Sequence, residues 1–157
     1  MNFYQKLGPL VFGTRLKRLS DYFLTEVNKV YTDLGIPFEA SWFGVFYLLK
    51  QNESLSIIDI AETLEISHSA VSQLVKNLEN KGLLEVKNSD DDARKKQIKL
   101  TTQGSILLEK IVPVWDSLTH AMSELLEDEQ CKEALSSILA IENAFQKQSL
   151  SERMKMS

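Results

Sequence analysis

Ser69, Ser72, Gln73, Lys76 and Asn80 each lie three or four residues from another of the set, with His68 just ahead of them. On a helix that spacing gathers them on one face. They bring hydroxyls, amides and one ammonium, groups that donate and accept hydrogen bonds, and a Gln amide can pair bidentately with adenine. An ordinary solvated helix face has a similar composition, so the surrounding elements decide between the two readings.

Those elements are specific. Ser67 stands where a helix N-cap belongs, and Val71, Leu74, Val75 and Leu78 form an apolar stripe opposite the polar face. Gly82 sits where such a helix should stop. Just upstream, Ser56-Ile57-Ile58-Asp59 reads as a capping box with Asp in place of Glu, and Leu55 and Ile60 are placed as a hydrophobic staple. That short helix should end near Glu65. After Gly82 the period changes to two. Leu84 and Val86 alternate with Glu85 and Lys87, and Ile98 and Leu100 alternate with Gln97 and Lys99, around a polar tip from Asn88 to Lys96. This predicts a β-hairpin with one buried face. Two short helices, a tight turn and a two-stranded hairpin make a winged helix-turn-helix, whose second helix is shaped for a DNA major groove.

The flanks are helical. Phe12, Leu16, Leu19, Phe23, Val27, Val30 and Leu34 share a face, and Gly35 and Pro37 end it. A helix over Glu39 to Lys50 is apolar nearly all round, which predicts burial on several sides. Helical spacing returns after Thr101 through Leu108, Ile111, Trp115, Leu118, Met122 and Leu125, with Pro113 bending that helix or shifting its start. A last helix is expected from about Asp128 to Gln146. The fold class is therefore mainly α: a winged helix-turn-helix at about 39–101, with helices at about 7–34 and 102–147 on either side. It forms one domain over 1–148, and 149–157 carries no pattern and is expected to be a disordered tail.

Composition limits the function classes. The 157 residues suit one domain that needs no disulfide or metal to fold. With 43% hydrophobic and 25% charged residues the chain is not wholly disordered. Its longest apolar run, Trp42 to Leu49, is far short of the ~20 residues of a membrane span. Met1 to Lys6 lacks the pattern of a secretory signal, and Cys131 is alone, which fits a reducing, cytoplasmic setting. The net charge is −4 but unevenly spread. Residues 1–33 and 67–99 are each net positive, whereas 34–66 and 100–148 are negative. A local basic patch suffices for phosphate contact, because screening confines such contacts to about a Debye length, ~8–10 Å.

Across Ser56 to Gly104 the chain resembles the MarR family of bacterial transcriptional regulators. The matching motifs run in order. They are the first-helix pattern at Ile57 to Ala61, the Ser-rich start Ser67, Ser69 and Ser72, the Leu-Glu-x-x-Gly-Leu-Leu junction at Leu78 to Leu84, Asp92-Ala93-Arg94, and Leu-Thr-x-x-Gly at Leu100 to Gly104. The flanking helices agree in length and order, so the likeness covers about Leu7 to Phe145. The resemblance implies a homodimer built on the first and last helices, a recognition helix in the major groove, and Arg94 of the wing in the minor groove. A narrow minor groove concentrates negative potential, and Asp92 can orient the guanidinium in a bidentate pair. The implied DNA-binding set is His68, Ser69, Ser72, Gln73, Lys76, Asp92, Arg94, Lys95 and Lys96. The implied function is a repressor on a pseudo-palindromic operator. One departure stands out: many members carry a second Arg where this chain has Asp91, flanked by Asp90 and Asp92, and Lys95, Lys96 and Lys99 must offset those carboxylates.

The resemblance also implies a small-molecule site beside the dimer scaffold, and an aromatic ligand is expected. Eleven of the thirteen aromatics lie between Phe3 and Tyr47. Tyr22, Trp42, Phe43, Phe46 and Tyr47 are the candidates to line it, with core packing as the alternative for each. No aromatic lies between Leu48 and Val114, so the DNA-reading module has no stacking platform, which argues against single-stranded or RNA ligands. Cys131 reads as a small hydrophobe on the last helix, since the family's peroxide sensors place their reactive Cys in the first helix. No metal or cofactor is expected, because His68 and His120 lie in different modules. Asp116 and His120 share a helix face near Ser117 and Ser123, but no nucleophile turn or oxyanion site accompanies them, so no enzyme is expected. The rival reading is a winged-helix protein-interaction module without DNA binding.

Overall fold

The computed structural model describes residues 3–88 and 96–155. The chain divides into two compact units, Met1–Pro113 and Val114–Ser157. In the first, a short helix α1 (Phe3–Lys6) and a 3-10 turn (Gly8–Val11) precede the long helix α2 (Phe12–Asp33). Pro9 suits the start of that turn because it has no N–H to leave unsatisfied. Only Tyr31 of α2 is buried, so its apolar stripe is mostly on the surface.

The expected second helix begins as a 3-10 turn (Ala40–Trp42), where the Asn28 side-chain oxygen accepts the Ala40 N–H at 2.7 Å, and continues as α3 (Phe43–Gln51). Burial on several sides is not what the structure shows. Val45, Phe46 and Leu49 are buried, while Phe43 and Tyr47 remain on the surface. Phe38 sits at the centre of the aromatic core, edge to face with Tyr31, Trp42 and Phe46 at 5.0–5.4 Å between ring centroids.

The helix-turn-helix is α4 (Ile57–Leu64) and α5 (His68–Asn80). Both halves of the capping box form: Asp59 N–H donates to Ser56 Oγ at 3.1 Å, and Ser56 N–H donates to Asp59 Oδ2 at 2.8 Å. Glu65 closes α4 in the left-handed region at φ 53°. The hairpin pairs β1 (Leu84–Asn88) with β2 (Lys96–Leu100) in antiparallel register, Leu84 opposite Leu100 and Val86 opposite Ile98. A further pairing joins Leu55 to Ile98 through two backbone hydrogen bonds of 2.8 and 3.1 Å. This anchors β2 to the start of α4.

The Gly-Leu-Leu and Leu-Thr-x-x-Gly motifs meet at one junction. Gly82 adopts φ +72°, which L side chains rarely do. Thr101 Oγ1 donates to the Gly82 carbonyl at 2.6 Å and accepts the Gly104 N–H at 3.0 Å, capping α6 (Thr102–Glu127). A Cβ on Gly104 would collide with the Leu83 carbonyl oxygen, so only glycine allows this approach.

Helix α6 continues through Pro113. Proline has no N–H to offer the carbonyl four residues back. In the second unit the expected last helix starts late. Asp128 Oδ1 accepts the Gln130 N–H, and the Asp128 carbonyl accepts from Cys131 and Lys132, so 128–133 is a turn and α7 is Ala134–Lys147. Cys131 therefore lies in that turn and not on a helix. The patternless end instead holds α8 (Leu150–Lys155). Ser149 and Glu152 cap each other: Ser149 N–H donates to Glu152 Oε2 at 2.8 Å, and Glu152 N–H donates to Ser149 Oγ at 3.3 Å.

Candidate nucleic-acid interface

The candidate interface is built on α5. Val71, Val75 and Leu78 turn inward and are buried. This fixes the rotation of the helix, and His68, Ser69, Ser72, Gln73 and Lys76 are exposed on its other side. Ser67 Oγ accepts the Ala70 N–H at 3.2 Å and lies 3.1 Å from Ser69 Oγ. The first turn of α5 is thus held in place, and Ser69 is tied to the cap as well as facing solvent. Lys96 is exposed at the start of β2. Asp92, Arg94 and Lys95 lie outside the described residues.

Two wing lysines are already paired. Lys87 Nζ contacts Glu85 at 2.9 Å, and Lys99 Nζ contacts Glu53 at 3.0 Å. Glu53 is a residue that sequence reasoning missed. It comes beside the wing only because Leu55 pairs with Ile98, and no local pattern marks that pairing. Each exposed pair is worth ~0–1 kcal/mol and weakens with salt.

The five aromatic candidates fall in different surroundings. Tyr22 lines a cavity of about 560 Å³ with Tyr4, Phe12, Arg15 and Arg18. Arg18 stacks on Tyr4, its guanidinium carbon 4.2 Å from the ring centroid. Trp42 lines a separate cavity of about 370 Å³. Phe46 is fully buried in the aromatic core. Phe43 and Tyr47 are exposed and tilt against each other at 5.3 Å.

Residues 34–95 match the model of the MarR family. The chain is 31% identical over 93 residues to the organic hydroperoxide resistance transcriptional regulator of Bacillus subtilis, covering 59% of this chain and 63% of that one. The HTH-type transcriptional repressor MdtR of the same organism is 29% identical over 86 residues, 55% of this chain and 56% of its own. The crystal structure of the S. aureus MepR–DNA complex superposes with a TM-score of 0.69 at 26% identity, over 82% of this chain and 96% of that one. Over this region the chain is similar to the MarR family.

The matched residues take in α3, α4, α5 and β1. The chain spans about 60% of the length of the curated relatives named here. Its one cysteine, Cys131, lies in the turn before α7 and is partly exposed. Among the described residues no three His, Cys, Asp or Glu side chains cluster as a metal site would need, and no helix is long and apolar enough to cross a membrane.

Proposed function

We propose that this chain is a cytoplasmic, DNA-binding transcriptional regulator of the MarR family acting as a repressor. It binds a pseudo-palindromic operator in double-stranded DNA as a homodimer and is released by a small aromatic effector. It is not an enzyme and takes no cofactor. The observation that carries this reading is the division of α5 into a buried apolar side and an exposed side bearing Ser69, Ser72, Gln73 and Lys76. Hydroxyl and amide groups suit base edges, and Lys76 suits phosphate. Arg94 supplies the wing contact to the minor groove.

The homodimer is supported by the uncovered faces of two helices. Phe12, Leu16, Leu19 and Val30 of α2 are exposed, as are Leu135, Ile138, Leu139 and Phe145 of α7. Apolar surface of that extent usually marks an interface, and two-fold pairing is its commonest solution. Effector release follows if the ligand favours a spacing of the two α5 helices other than the ~34 Å of one DNA turn. Such coupling is reciprocal and is typically ~5–150-fold in affinity. The exposed Phe43–Tyr47 pair and the cavity beside Tyr22 supply aromatic surface for the effector.

Selection of bound sequences from random duplex DNA tests the reading. An enriched inverted repeat with half-sites ~34 Å apart is expected. If no sequence is enriched and no salt-dependent duplex shift appears, the chain is a winged-helix interaction module instead.

A further inference from the structure

The end of α2, the turn after it, the end of α5 and the first turn of α6 surround the cavity of about 370 Å³. Pockets for small molecules fall at ~300–1,000 Å³ and pair an apolar body with a few placed polar groups. Here Phe38, Trp42 and Leu83 are buried and form the apolar wall. Lys81, Glu39 and Gln103 are exposed and form the rim. The Lys81 ammonium stands 5.5 Å from the Trp42 ring centroid, over the ring face. Among the described residues neither Lys81 nor Glu39 is in an ion pair. Lys81 follows the last residue of α5 and lies outside the set that would face DNA.

The rim offers one cation, one anion and one amide above an aromatic wall. A ligand with a single charge would pair with one of Lys81 and Glu39 and be repelled by the other. A zwitterion satisfies both. We propose that this cavity binds an α-amino acid with an apolar side chain. Its carboxylate meets Lys81 and the Gln103 amide N–H, its ammonium meets Glu39, and its side chain lies along Ile36 and Pro37 at the edge of the Phe38–Trp42 wall. This assignment does not depend on DNA binding.

Calorimetric titration of the full chain with L-leucine and L-phenylalanine tests it. 3-Phenylpropanoate and 2-phenylethylamine serve as the single-charge controls. Saturable binding of at least one amino acid is expected, ~10-fold or more tighter than either control. Lys81→Gln and Glu39→Gln should each weaken it ~10-fold without altering thermal unfolding. A chemical-shift map of the labelled parent chain keeps the test decisive if a variant does not fold: the Trp42 indole N–H and Gln103 amide signals should move. The proposal is overturned if neither amino acid binds, if a control binds as tightly, if both folded variants bind like the parent, or if the shifts centre elsewhere.

Discussion

Helices α5 and α2 carry apolar stripes of similar design and opposite fate. Val71 and Leu78 of α5 are fully buried, whereas Leu16 and Leu19 of α2 are 44% and 66% exposed. Burial of a Leu side chain is worth ~1.5–3 kcal/mol, so an uncovered stripe forgoes that stabilisation until something covers it. The winged helix is finished within one chain: its caps are satisfied, its hairpin is anchored and its polar face is outward. Helix α2 is unfinished. Its stripe is left uncovered within one chain, and the second copy in the proposed function would cover it.

Breaking α2 should therefore change assembly and leave the winged helix folded. The double variant Leu16→Glu, Leu19→Glu should sediment at the 17.9 kDa chain mass, where the parent should give about twice that, and should keep its helical circular dichroism. A parent that already sediments as a monomer would remove the dimer from the proposal. Breaking α5 should do the opposite. Leu78→Ala opens a cavity at a fully buried position and should cost ~2–5 kcal/mol in denaturant unfolding at every protein concentration. Leu19→Ala should act mainly through the dimer, with a cost that depends on concentration.

The helix-turn-helix was the most legible part of the sequence because its signals are local. Ser56 with Asp59, Ser67 and Gly82 each mark a boundary within a few residues, and the structure places a cap or a turn at each. Contacts distant along the chain left no such mark. The Leu55–Ile98 pairing and the Glu53–Lys99 ion pair could not be read from spacing. Sequence also could not sort the aromatics of α3. An apolar residue at every turn hides which side faces the core, and the structure buries Phe46 while exposing Phe43 and Tyr47. The last helix does not start at Asp128, because its carboxylate and carbonyl close a separate turn through the Gln130, Cys131 and Lys132 N–H groups. Ser149 and Glu152 have the spacing of a capping box, a signal that sequence reading missed because no apolar stripe follows them.

Smaller changes sharpen the contrast between finished and unfinished parts. Ser67→Ala removes the cap of α5 and should cost ~1 kcal/mol, read as a lower denaturant midpoint at unchanged slope. The smallest effect lies in α8. The Ser149 backbone N–H, and then its hydroxyl, hold the Glu152 carboxyl below its ordinary value of 4.5. A depressed carboxyl pKa stabilises the fold above the ordinary value, and that contribution is lost as pH falls through the lowered one. The Ser149 amide resonance should thus report loosening of α8 only below the ordinary carboxylate range, and Glu152→Gln should flatten that response.

The most direct test of DNA reading by α5 is operator affinity measured across a series of salt concentrations for the parent, Lys76→Ala and Gln73→Ala. Affinity should fall with salt, and the logarithmic slope should be shallower by ~0.9 in Lys76→Ala if that side chain meets one phosphate. Gln73→Ala should keep the parent slope and lose preference at one base position. Parent binding that does not respond to salt, or three proteins with the same slope and the same base preference, would contradict the assignment of α5 to the major groove.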